Sequence, residues 1–104
     1  MKEDLGLLSP GELEEEIARA VQFLSAQPGV RQVWLFGSAV RGWRLDWRSD
    51  LDFAVAGLAP DALYGGWSRL DSLLRGPVDL VRIEDASPLL RSQILDHGRL
   101  LYEA

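Results

Sequence analysis

The sequence predicts an α/β chain of the α+β type, in which a small mixed β-sheet is flanked by helices. Helical patterns of apolar residues alternate along the chain with short apolar runs of strand length. Ser-Pro pairs at two positions are typical of helix starts. The 104 residues, 47% of them hydrophobic, suffice for one core, so we expect a single domain over residues 1–104.

The first helix is predicted to begin at Pro10. Ser9 supplies the cap, Pro10 suits the first helical position and Glu12 completes a capping box. Apolar residues then recur at helical spacing until Pro28-Gly29 ends the helix. Acidic residues crowd its first turns, where the helix dipole favours them, and we expect no further role for them: Glu12, Glu14, Glu15 and Glu16.

The remaining elements follow from the same signals. Apolar or alternating runs predict four strands, at Val30–Phe36, Leu51–Ala56, Val78–Ile83 and Leu100–Tyr102. Helical spacing and cap residues predict a short turn at Ala39–Gly42 and a last helix from Ser87 to Gly98. Between them we expect a helix that Asp61 caps and Gly76-Pro77 ends, with one apolar face formed by Leu63, Trp67, Leu70 and Leu74.

Composition excludes several functional classes. There is no cysteine and one histidine, His97, so disulfides, thiolate sites and multi-histidine zinc sites are excluded. Sixteen acidic against eleven basic residues give a net charge of −5, which argues against a nucleic-acid partner. No apolar run approaches the ~18 residues of a membrane span. The acidic N-terminus does not resemble a signal peptide, and we expect a cytoplasmic protein.

A glycine and a serine directly follow the first predicted strand. Gly37 allows a sharp turn and the close approach of a ligand, and the amides of such a turn can hold phosphate oxygens. Ser38 adds a hydroxyl donor and Arg41 a cation. Gly-Ser after a strand is usually only a turn, so both interpretations stay open.

Two aspartates open the second predicted strand. Residues i and i+2 share a strand face, so Asp50 and Asp52 would present two carboxylates together while Leu51 and Phe53 face the core. Like charges this close repel unless a cation lies between them, and hard oxygen ligands suit Mg²⁺ or Mn²⁺. The alternative is that both acids are merely solvated.

A third aspartate, Asp79, lies within an apolar strand. A charge there is unfavourable unless its face is wet or it has a partner. If the third strand neighbours the second, Asp79 joins Asp50 and Asp52, and the three carboxylates would hold two divalent ions about 4 Å apart. The competing explanation is an edge-strand aspartate that faces solvent.

Together these residues resemble the DNA polymerase β-like nucleotidyltransferase superfamily. The resemblance rests on Gly37-Ser38-x-x-Arg41-Gly42, then Ser49-Asp50-x-Asp52, then Asp79 in a following strand. It covers most of the chain and looks closest to the minimal nucleotidyltransferases, short prokaryotic proteins often encoded beside a HEPN-domain toxin. Residues 39–49 separate Ser38 from Asp50, one residue more than is usual in those members, and a loop absorbs this difference.

The resemblance implies a polymerase β-like fold and metal-dependent transfer of a nucleoside monophosphate. By analogy Asp50 and Asp52 bind two Mg²⁺ ions, or Mn²⁺, and Asp79 binds the catalytic ion and helps to activate the acceptor hydroxyl. Gly37 and Ser38 would hold the terminal phosphates of a nucleoside triphosphate, with ATP expected. Arg41 would be a local cation.

The implied acceptor is a HEPN partner protein, which this chain would silence as an antitoxin. Two hypotheses compete with this one: a non-catalytic module that neutralises its partner by binding, and transfer to a small molecule such as an aminoglycoside. The oligomeric state is left open by the sequence.

The four tryptophans divide into two pairs. Trp34 lies in an apolar strand and Trp67 on an apolar helix face, so we expect both in the core. Trp43 and Trp47 flank a loop that also carries arginines. They either pack on the sheet or form an exposed patch that binds a partner or stacks on a base.

Overall fold

The structure, a computed structural model, describes residues 9–37 and 51–104. Its elements are α1 (Pro10–Ser25), β1 (Gln32–Phe36), β2 (Leu51–Ala56), α2 (Leu63–Leu73), β3 (Val78–Arg82), α3 (Pro88–His97) and β4 (Arg99–Glu103). Short 3₁₀ turns at Pro60–Ala62 and Ile83–Asp85 precede α2 and α3. Within these two ranges no helix is long and apolar enough to cross a membrane.

The four strands form one mixed sheet in the order β3-β2-β1-β4. β1 runs antiparallel to both β2 and β4, and β2 runs parallel to β3. A parallel pair needs a crossover connection, and α2 supplies it. The predicted class, a mixed sheet flanked by helices, is confirmed.

The two faces of the sheet pack against different helices, because alternate side chains of a strand point to opposite sides. One face, which includes Val33, Phe53 and Leu80, forms the larger core beneath α1 and α2. The other face includes Trp34 and packs against Ile94 of α3 in a smaller core. Trp34 is therefore buried, as predicted.

Two helix starts agree with their sequence signals, and one does not. Ser9 Oγ accepts a hydrogen bond from Glu12 N at 3.0 Å, and Glu12 Oε1 accepts one from Ser9 N at 2.9 Å. Ser87 Oγ accepts from Leu90 N at 3.2 Å and caps α3. The prediction for Asp61 is wrong, because this residue lies inside a 3₁₀ turn and no side chain caps α2.

Two predicted strands are longer than the observed ones. The first begins at Gln32 rather than Val30, and the third ends at Arg82, with Ile83 in the following turn. Val30 and Ile83 are buried beside the sheet without belonging to it. A strand predicted from an apolar run therefore includes buried residues that lie outside the hydrogen-bonded ladder. The predicted turn at Ala39–Gly42 lies outside the described residues.

The acidic residues of α1 also hold other elements in place. Glu16 is buried, accepts a hydrogen bond from the Arg75 backbone amide at 2.7 Å and forms an ion pair with Arg19. Two hydrogen bonds of 3.1 and 3.3 Å join Arg99 of β4 to Glu14. The hydrogen bond from Arg99 lowers the pKa of Glu14. The expectation that these acids serve only the helix dipole is therefore wrong.

Candidate active site

Asp52 lies where the apolar part of one sheet face ends. Leu51, Phe53 and Val55 of β2 are buried in the larger core, as predicted. Asp52 points to the opposite face because side chains alternate along a strand. Further along that face Ala54 is fully buried, whereas Asp52 is half-buried. Its carboxylate therefore stands at the accessible end of the sheet face that α3 covers.

Asp79 lies beside Asp52 on the neighbouring strand. The two residues are in register in the parallel β2–β3 ladder, so they share a face. Adjacent strands are about 4.8 Å apart, which puts two half-buried carboxylates next to each other. Leu80 N donates a hydrogen bond to Asp79 Oδ1 at 3.1 Å. The second and third strands are thus neighbours, which is the condition that a shared site for Asp52 and Asp79 requires.

Gly37 follows β1 and approaches the Asp52 carboxylate. Its φ of +83° lies in the left-handed region, which favours glycine. A Cβ at this position would stand 3.2 Å from Asp52 Cγ and still closer to Oδ2. Glycine is therefore needed here both for the backbone conformation and for the space that the carboxylate occupies.

Three of the six predicted site residues, Ser38, Arg41 and Asp50, lie outside the described residues, as do Trp43 and Trp47. Their roles stay predictions. Within residues 9–37 and 51–104, no group of three or more His, Cys, Asp or Glu side chains is arranged to hold a metal ion. The described part of the candidate site is thus the pair of aspartates with the glycine beside them.

This pair fits a hard divalent cation. Carboxylate oxygens are the ligands that Mg²⁺ and Mn²⁺ prefer. Two like charges on adjacent strands repel each other unless a cation lies between them. The sequence supplies a third carboxylate, Asp50, two positions before Asp52. The donor set therefore suits a divalent metal ion.

One contact near Asp79 was not predicted by any sequence pattern. Trp67 Nε1 on α2 donates a hydrogen bond to Val78 O at 2.9 Å. The indole also packs against the larger core, so its predicted core position is confirmed. Helical spacing with Leu63 and Leu70 predicts that burial, but it does not predict the acceptor of the indole N–H.

Two open grooves flank α1 at a distance from these carboxylates. One, of about 360 Å³, lies between α1 and β4 and includes Glu14 and Arg99. The other, of about 440 Å³, lies between α1 and α2 and includes Phe23 and Leu73. Neither groove contains a residue of the candidate site. The candidate active site is therefore assigned to the sheet face with Asp52 and Asp79 and not to either groove.

Comparison with protein families agrees with this geometry. Residues 18–104 match the family described as polymerase beta, nucleotidyltransferase. The chain belongs to this nucleotidyltransferase family. A search of curated proteins gives no match.

Solved structures define the resemblance more closely. A structure described as a minimal nucleotidyltransferase is 34% identical, with a TM-score of 0.71 over 86% of this chain and 95% of that one. A toxin–antitoxin structure with AMP-PNP is 30% identical, with a TM-score of 0.71 over 88% of this chain and 73% of that one. A third match, of 26% identity, is a structure of a tri-AMPylated HEPN toxin from Shewanella oneidensis in complex with MNT antitoxin. Its TM-score is 0.70 over 88% of this chain and 72% of that one. The solved structures similar to this chain thus include a minimal nucleotidyltransferase and several toxin–antitoxin complexes, one of them with an AMPylated HEPN toxin.

Proposed function

We propose that the protein is a Mg²⁺-dependent nucleotidyltransferase that transfers AMP from ATP to a HEPN partner protein and so acts as its antitoxin. The in-register pair of Asp52 and Asp79, in a chain of nucleotidyltransferase fold, carries the proposal. The finer class is supported by two similar structures, one with AMP-PNP and one with an AMPylated HEPN toxin. The protein would act in the cytoplasm, where ATP and Mg²⁺ are available.

The three aspartates would hold the divalent ions, and Gly37, Ser38 and Arg41 would contact the triphosphate. When bound, the metal offsets negative charge on the triphosphate and on the leaving pyrophosphate. In the transfer, the acceptor oxygen forms a bond to the α-phosphorus and the bond to pyrophosphate breaks. Asp79 would accept the hydroxyl proton. An acidic chain of net charge −5 would then bind its anionic substrate through bridging cations.

The test is incubation with a verified cognate HEPN partner, ATP and Mg²⁺, followed by intact-mass measurement of the partner. We expect AMP adducts with the wild type and none with Asp79→Asn, which keeps the side-chain size and removes the charge. Asp71→Asn, at an exposed position on α2, is the matched control and should retain full activity. Full activity of Asp79→Asn would overturn the role of Asp79, and a wild type without adducts would overturn the proposed transfer.

Neutralisation by direct binding is a second candidate, because several similar structures are toxin–antitoxin complexes. A growth assay with Asp52→Asn distinguishes the two. A transferase loses protection against the toxin together with its activity, whereas a binding module protects equally well. A pull-down that shows unchanged partner binding by Asp52→Asn makes the comparison valid.

A further inference from the structure

Trp67 lies on the outer side of the strand that carries Asp79. β3 stands at one end of the strand order, so only one of its sides faces another strand in that order. On the inner side, the Leu51 amide donates to Pro77 O at 3.1 Å. Successive carbonyls of a strand point to opposite sides, so Val78 O points outward. The Trp67 indole N–H donates a hydrogen bond to Val78 O at 2.9 Å and so replaces the donor that a neighbouring strand would supply.

The peptide units on both sides of Asp79 are held by side chains. The unit before it contains Val78 O, which Trp67 binds. The unit after it contains Leu80 N, which donates to Asp79 Oδ1 at 3.1 Å. The carboxylate is therefore tied to the outer edge of β3, the same edge that Trp67 binds. A shift of this edge would displace the Asp79 carboxylate relative to Asp52 on β2.

Trp67 itself is well placed to hold this segment. It is half-buried and packs against the larger core, where Leu70 of the same helix is fully buried. The preceding residue, Gly66, lies against Leu80, because a Cβ there would stand 3.9 Å from Leu80 Cδ2. α2 thus lies directly on β3, and the core fixes the indole relative to the strand.

We propose that Trp67 is a positioning residue for the candidate metal site. Its indole N–H holds the outer edge of β3 at Val78 and so fixes the position of the Asp79 carboxylate beside Asp52. The inference rests on the proposed function, because the metal site is part of it. A tryptophan that only filled the core would need its ring and not its N–H.

The decisive variant is Trp67→Phe, which keeps an aromatic ring and removes the N–H. Ile17→Val, a mild truncation in the same core on α1, is the control for a small loss of packing. Mn²⁺ binding is measured by the loss of the free-ion EPR signal, and the melting temperature is measured in parallel. We expect Trp67→Phe to bind Mn²⁺ at least threefold more weakly than the wild type, and Ile17→Val to bind it equally well. Equal Mn²⁺ affinity of Trp67→Phe and the wild type would overturn the proposal.

Amide hydrogen exchange supplies a readout that needs no metal. In Trp67→Phe we expect faster exchange at the amide of Leu51, which donates to Pro77 O, and at that of Leu80, which donates to Asp79 Oδ1. We expect no such change in Ile17→Val. If the wild type binds no Mn²⁺, the proposed function fails, and unchanged exchange would then separately overturn the role of Trp67. If Trp67→Phe does not fold, benzothienylalanine at position 67, which replaces the N–H by sulfur, gives the same comparison.

Discussion

Replacement of Gly37 by alanine should separate the stability of the fold from the geometry of the site. With a φ of +83°, any residue that carries a Cβ is strained by about 1–2 kcal/mol. The new Cβ would also stand 3.2 Å from Asp52 Cγ and closer still to Oδ2, so the carboxylate must move. Because the obstruction is the end of a side chain, its movement adds little to the loss of folding free energy. We therefore expect a total loss of about 1–2 kcal/mol.

The effect on transfer should be much larger. A displacement of about 1 Å in an active site can cost a factor of about 100 in rate. We expect Gly37→Ala to lower kcat/KM for modification of the HEPN partner by about that factor. Mn²⁺ binding should weaken in parallel, because Asp52 is one of the proposed ligands. The intact-mass assay and the EPR titration measure these two effects.

Gly29→Ala is the matched control for this experiment. Gly29 has nearly the same φ, +84°, but lies before β1, at the other end of the sheet. Its Cβ would meet the backbone oxygen of Gly57 at 2.7 Å, and backbone yields less readily than a side chain. We expect Gly29→Ala to lose more stability and keep the wild-type rate at a temperature where it is folded. A wild-type rate and wild-type Mn²⁺ affinity for Gly37→Ala would refute the reasoning.

Two further predictions concern ion pairs of α1. Glu16→Ala removes the acceptor of the Arg75 backbone amide. The Arg19 and Arg75 side chains are 46% and 45% exposed, so water can replace their ion pairs with Glu16. We therefore expect the free energy of unfolding, measured by urea denaturation, to fall by the cost of one unpaired amide, about 1–3 kcal/mol. A loss below about 0.5 kcal/mol would contradict this. The Arg99 hydrogen bond lowers the pKa of Glu14 below its ordinary value of 4.5. Its stabilisation is therefore present at neutral pH and is lost as the pH falls through the lowered pKa. Since the Glu14 and Arg99 side chains are both half exposed, Glu14→Gln should lower the free energy of unfolding by at most about 0.5 kcal/mol at pH 7. The stabilities of the variant and the wild type should become equal as the pH is lowered. A difference in stability that stays constant down to pH 3 would exclude this account.

Local signals predict the elements of this fold well. β2 has the predicted bounds Leu51–Ala56, a run in which every residue except Asp52 is buried. The capping box at Ser9 is also purely local, since all its atoms lie within one turn. Where apolar residues pack beside the sheet, as Val30 does, the predicted bounds are too wide.

The contacts that shape the candidate site depend on strand order instead. Asp79 becomes a neighbour of Asp52 only because β3 pairs with β2, and the sequence leaves that pairing open. The buried Glu16 and its acceptor role for the Arg75 amide join residues 59 positions apart. No periodicity predicts such a partner. Residue types therefore identify the candidate chemistry, and the topology decides which of these residues meet.

The repulsion between Asp52 and Asp79 leads to a last prediction, which tests the metal site without any partner protein. Like charges directly opposite on adjacent strands destabilise a sheet by roughly 0.2–1 kcal/mol. Asp79→Asn removes this repulsion and keeps an oxygen that can accept from Leu80 N. In EDTA we therefore expect the variant to be more stable than the wild type by roughly 0.5 kcal/mol in urea denaturation.

Saturating Mn²⁺ with AMP-PNP should reverse this order, because ligand that binds only the folded wild type stabilises it by mass action. Asp71→Asn, which changes the same charge at an exposed position, should show neither effect. A variant that is less stable than the wild type in EDTA would mean that the two carboxylates do not repel. A reversal absent under Mn²⁺ would mean that they do not share an ion. Stability lost to this repulsion and regained on ligand binding is what a site selected for metal binding, rather than for folding, should show.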